Sequence, residues 1–68
     1  MRRFIAKLTD LNEVESYIDF ASEINWHFVV SPAHATVIEE NDYDAWKRDL
    51  EEFLRFNSYY IEYELLEI

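Results

Sequence analysis

Apolar and polar residues alternate from Arg2 to Leu8: Phe4, Ala6 and Leu8 fall on one side, Arg3, Ile5 and Lys7 on the other. That period of two predicts a strand. From Thr9 the spacing becomes helical. Leu11, Val14, Tyr17, Ile18, Ala21 and Ile24 fall on one arc, and Glu15, Asp19 and Glu23 recur every four residues opposite it. Asp10 as N-cap with Glu13 at the third helical position makes a capping-box-like start. Early acids also suit the helix dipole.

Trp26 to Val30 is dense in aromatic and β-branched residues and predicts a second strand. Ser31-Pro32-Ala33-His34 reads as a turn and Ala35 to Glu39 as a third strand, so the two would form a hairpin. Asn41 or Asp42 is expected to cap a second helix running to about Phe56, with Tyr43, Trp46, Leu50, Phe53 and Leu54 as its apolar arc. Its other face offers four i,i+4 charge pairs: Lys47–Glu51, Arg48–Glu52, Asp44–Arg48 and Glu51–Arg55. Ser58 to Leu66 alternates again, with Tyr59, Ile61, Tyr63 and Leu65 on one face and Tyr60, Glu62, Glu64 and Leu66 on the other.

The order β-α-β-β-α-β predicts an α+β, ferredoxin-like fold, two helices on one face of a four-stranded antiparallel sheet. In it, Lys7 and Arg3 would lie beside Glu62 and Glu64 on the open face. The alternative is a three-stranded β-α-β-α-β layout in which residues 26–40 form one long bent strand.

The 68 residues are expected to make one domain, 1–68, with a small core. Aromatics at 18% partly offset the size, because each buries ~150–250 Å². There is no Cys, hence no disulfide or thiolate metal site. There is no Gly either, so positive φ is expected at Asn: Asn25 and Asn57 after the helices, with Asn41 as an N-cap. No run resembles a signal peptide or reaches the ~18 apolar residues of a membrane span. A cytoplasmic protein is expected (host cytoplasm if the chain is viral).

Charge changes the picture most. Fifteen acids face six bases, and from Leu8 to Trp46 nine carboxylates occur without one Lys or Arg. Such a surface repels nucleic acid and anionic membranes and attracts basic proteins. The stripe Glu15, Asp19, Glu23 is one candidate contact surface. Its like charges at i,i+4 cost helix stability, although a solvated face that keeps the chain soluble is the plainer explanation. Glu39, Glu40, Asp42 and Asp44 form a second group. A calcium loop needs a Gly turn and a bidentate Glu at its twelfth position, but the chain has no Gly and twelve residues from Glu40 would be spanned by helix, so dipole complementation or an extension of the acidic surface is expected instead. Phe20 and Phe56 fall outside their helices' main apolar arcs, as core edges or contact anchors.

Chemistry is sparse. His27 and His34 flank the hairpin, where a zinc or proton-transfer role is weaker than that of surface residues. The serines lack any elbow or dyad context, and no Gly-rich loop cradles phosphate. The open sheet carries Ile5, Tyr60 and Leu66, but lacks the basic residues and motif with which RNA-binding sheets stack bases. No enzyme activity, catalytic residue, metal or cofactor is expected.

The expected function is a small acidic inhibitor that masks a basic, nucleic-acid-handling protein or complex by charge mimicry, with no direct contact to nucleic acid or membrane. Glu15, Asp19, Glu23, Glu39, Glu40 and Asp42 would carry it, with Phe20 as an apolar anchor. In composition alone the chain resembles the small inhibitors that bacteriophages carry against host defence, of the anti-restriction or anti-CRISPR type. The alternative is a homo-oligomeric structural or regulatory module, such as a homodimer, joined through its open sheet. A third class is a small ligand-binding domain or enzyme with a pocket near the His residues.

Overall fold

The computed structural model describes residues 1–19 and 26–68. It is a small α+β fold: five strands in a curled antiparallel sheet and, among the described residues, one α-helix. The strands are β1 (Arg3–Asp10), β2 (Glu15–Asp19), β3 (His27–Val29), β4 (Ile38–Glu39) and β5 (Tyr60–Glu67); the helix is α1 (Tyr43–Phe56).

β1 is central. β5 pairs with it along nearly its whole length, from Phe4↔Glu67 to Asp10↔Tyr60. Its other edge is shared: β2 pairs with Lys7 to Thr9, and β4 with Arg3 and Phe4. β2 and β4 thus lie end to end along one edge, and the chain makes an excursion between them. β3 pairs outside β2, from Tyr17↔Val29 to Asp19↔His27.

Three expectations are corrected here. The predicted first helix has a strand in its place over Glu15–Asp19, so the two-helix ferredoxin-like arrangement is not what the described residues form. Asp10 is not a helix N-cap. Its carboxylate accepts from the Asn12 and Val14 N–H groups at 2.8 and 3.0 Å, and its own N–H donates to the Val14 carbonyl at 3.0 Å. The Glu13 N–H donates to the Asp10 carbonyl, and Glu13 has φ 63°. This is a three-residue hairpin loop closed by a left-handed residue. An acceptor side chain serves a hairpin as readily as a helix start, and local hydrogen bonding turned the chain back into the sheet. Finally, β3 and β4 do not form a hairpin with each other, nor does 26–40 form one bent strand. Between them Pro32–His34 is a 3₁₀ turn, its Ser31 Oγ accepting from Ala33 N–H at 3.3 Å.

The second helix is as the sequence suggests. Leu50 is fully buried, and Tyr43, Trp46, Phe53 and Leu54 pack against Phe4, Ala6, Leu8, Ile18 and Ile38 of the sheet. Each fully buried Leu or Ile contributes about 1.5–3 kcal/mol. Trp26 joins α1 through Trp46 and Phe53, with ring centroids 5.6 and 5.1 Å apart. The Tyr63 hydroxyl donates to Glu51 Oε1 at 2.8 Å, tying β5 to α1. Burial, then this bond, push its ionisation up to about 12.

Two local departures have plain causes. A register shift between Thr9 and Asp10 inserts one extra residue into β5, the signature of a β-bulge. It returns Tyr60 to the helix side, where it packs on Phe28 and Phe53 at 5.2 and 5.6 Å, and leaves Ile61 exposed. Asn57 does not take positive φ. It is extended at −129°, and its side chain accepts from Tyr59 N–H at 3.1 Å. Asn41 lies within a 3₁₀ turn, Glu40–Asp42, so Asp42 occupies the N-cap position of α1, without a side-chain cap bond. Asn25 lies outside the described residues.

Candidate functional site

Because side chains alternate, the register of the sheet sorts them by face. Phe4, Ala6 and Leu8 point to α1, so Arg3, Ile5, Lys7 and Thr9 occupy the open face. Their cross-strand partners join them: Glu39 opposite Arg3, Leu66 opposite Ile5, Glu64 and Tyr17 flanking Lys7, Glu62 and Glu15 flanking Thr9. Asp19 follows on β2, opposite His27. Glu15, Asp19, Glu39, Glu62 and Glu64 therefore share one face with two bases, Arg3 and Lys7, leaving it three charges negative.

Part of this charge is neutralised inside the face. Lys7 Nζ reaches Glu15 at 2.8 Å and Glu64 at 3.3 Å, with its side chain only 18% exposed. The two carboxylates, Glu15 first, raise its pKa above the ordinary lysine value. The expected pairing of Lys7 with Glu64 is present, whereas Arg3 turns instead to Glu39, at 3.7 Å, and Glu62 lies opposite Thr9. Arg2 pairs with Glu67 at 2.9 Å and lies over the Phe4 ring, and its pKa is raised chiefly by the Glu67 bond. Three of the six bases are thus committed to the N-terminal strand and its neighbours. The four i,i+4 pairs expected along α1 are not among the closed ion pairs of the described residues.

The candidate residues divide accordingly. Glu15, Asp19 and Glu39 are brought together on the open face, although on strands and not along a helix. Glu40 and Asp42 sit in the 3₁₀ turn beyond β4, where Glu40 Oε2 accepts from Arg2 N–H at 3.4 Å. Asp19 Oδ1 accepts from Thr36 Oγ1 at 3.5 Å. Glu23 and Phe20 lie outside the described residues. Glu62 and Glu64 were missed as site members, because their strand was read for its aromatic face and their acids for pairing alone.

The other candidates are dispersed. His27 is on β3 and His34 ends the 3₁₀ turn, both exposed. Among the described residues no three His, Asp or Glu side chains gather closely enough to hold a metal, and no helix is long and apolar enough to cross a membrane. No family model, curated protein or solved structure matches this chain.

Proposed function

We propose that this chain is a small acidic binding protein that masks a basic, nucleic-acid-handling protein by charge mimicry, in the manner of phage anti-defence or anti-CRISPR inhibitors. The observation that supports this reading is the open sheet face, where five carboxylates stand against two bases. Carboxylates arrayed on one face of a sheet offer a partner's Lys and Arg the charge-assisted bonds that phosphates would otherwise give. It also steers association at low salt. Asp19 and Glu62 matter most, because neither is held by Lys7 or Arg3. Glu40 and Asp42 extend the surface beyond β4.

The alternative, a homo-oligomer joined through the same face, has less support. Ile5 is only 5% exposed and offers little apolar surface. Tyr60 packs on the helix side. A second copy would also set carboxylates against carboxylates.

The test is capture of host proteins on the immobilised chain and on an Asp19→Lys/Glu62→Lys variant, each challenged with double-stranded DNA. The expected partner binds at least about tenfold less well to the variant and is released by DNA and by salt. A partner retained equally by both chains, or indifferent to DNA, would sink the proposal.

A further inference from the structure

We propose that the cleft between β3 and the C-terminal half of α1 receives an arginine side chain from a basic protein partner. Asp49, Glu52, Phe53 and Phe56 recur at three- and four-residue steps, so they line one face of α1. Trp26 and Phe28 stand across from them, and the open groove between has a volume of about 540 Å³. That volume lies within the ~300–1,000 Å³ of small-ligand sites.

Two features mark it as more than core. Phe56 is 78% exposed and Phe28 39%, so large rings meet solvent where the sheet and helix part. Phe56 also lies outside the apolar arc that the core uses. The charge is one-sided: Asp49 and Glu52 border the rings, and no Lys or Arg lines the cleft among the described residues. Neither carboxylate is among those held by Arg2, Arg3 or Lys7.

Aromatic faces and carboxylates together select a cation. An anion would be repelled by Asp49 and Glu52, and a neutral apolar ligand would gain nothing from them. A guanidinium can lie flat on a ring while its edge bonds a carboxylate, which an ammonium cannot do. The cleft is on the helix side, away from the acidic sheet face. It rests on the proposed function only for the source of the arginine.

The experiment titrates the labelled chain with acetyl-Gly-Arg-Gly-amide by NMR at matched ionic strength, beside the citrulline and lysine peptides. Saturable shifts are expected at the Trp26 indole N–H and the Glu52 and Phe56 amides. The citrulline peptide should bind about fivefold or more weakly. Asp49→Asn with Glu52→Gln should weaken arginine binding about two- to fivefold per charge. Phe56→Ala should weaken it with the melting temperature unchanged. Absent saturation, equal binding of citrulline, or a lysine peptide as tight as arginine would each overturn the assignment. So would the same shifts on raising protein concentration alone, which would make a second copy the occupant. The probe involves no protein partner, so its failure leaves the capture result on the sheet face standing.

Discussion

At Glu13 a side chain with a Cβ occupies a φ of 63°, a conformation that costs roughly 1–2 kcal/mol for most residues. Glu13→Gly should therefore stabilise the chain by about 0.5–1 kcal/mol after the entropy cost of glycine, measured by urea unfolding. A loss of stability would contradict the hairpin geometry. Asp10, only 7% exposed, answers two backbone N–H groups of the same loop. The Val14 bond, ahead of that from Asn12, holds its carboxyl below the usual range against the opposing effect of burial. The folded pKa is depressed, so the contribution is fully present above the unfolded value of about 3.9 and is lost as pH falls through the folded one. Asp10→Asn should lower stability at neutral pH and make the acid limb below about pH 4 shallower. Urea midpoints across pH 2–6 check both. The same carboxylate was legible as a backbone acceptor in the sequence. Which backbone it would serve was not, since Asp followed by Glu three residues later suits a helix start and this turn alike.

At the scale of elements, α1 and β1 were readable because one period fits each. Glu15–Asp19 fits two. Val14, Tyr17, Ile18 and Ala21 satisfy a helix, yet Ser16 and Ile18 face inward while Glu15, Tyr17 and Asp19 face outward, as in a strand. Four residues is nearly one helical turn and also an even number of strand steps, so Glu15 and Asp19 share a face in either conformation. The acidic grouping thus outlasted the error in the element that carries it, while its new neighbours, Glu62 and Glu64, depended on sheet register. The β5 bulge was likewise invisible to simple alternation. It predicts a sharp contrast: Tyr60→Ala should cost about 2 kcal/mol or more through lost ring packing, whereas Ile61→Thr should change stability by less than about 0.5 kcal/mol. Leu50→Ala, at the buried centre of α1, should cost about 2–5 kcal/mol. Thermal and urea unfolding of the three variants decides among them; equal costs at positions 60 and 61 would remove the bulge from the account.

For the whole molecule the net charge of −9 is the governing quantity. Self-repulsion opposes the folded state and is screened by salt. The melting temperature should rise as sodium chloride is added, and partner binding should fall over the same interval. A flat or falling melting temperature would mean that the internal ion pairs outweigh the repulsion. The longest ladder joins β1 to β5, and the Ile68 N–H donates to the Arg3 carbonyl at 2.9 Å. The two strands farthest apart in the chain are therefore side by side. The central strand therefore has to wait without its principal neighbour until β5, beyond α1 in the chain, has been brought back to it. So non-local a ladder forms slowly, and removing β5 would leave that whole edge of β1 unpaired. A permuted chain that fuses residue 68 to residue 1 through a short linker, and opens at the exposed 3₁₀ turn, should form the same sheet and reach it faster.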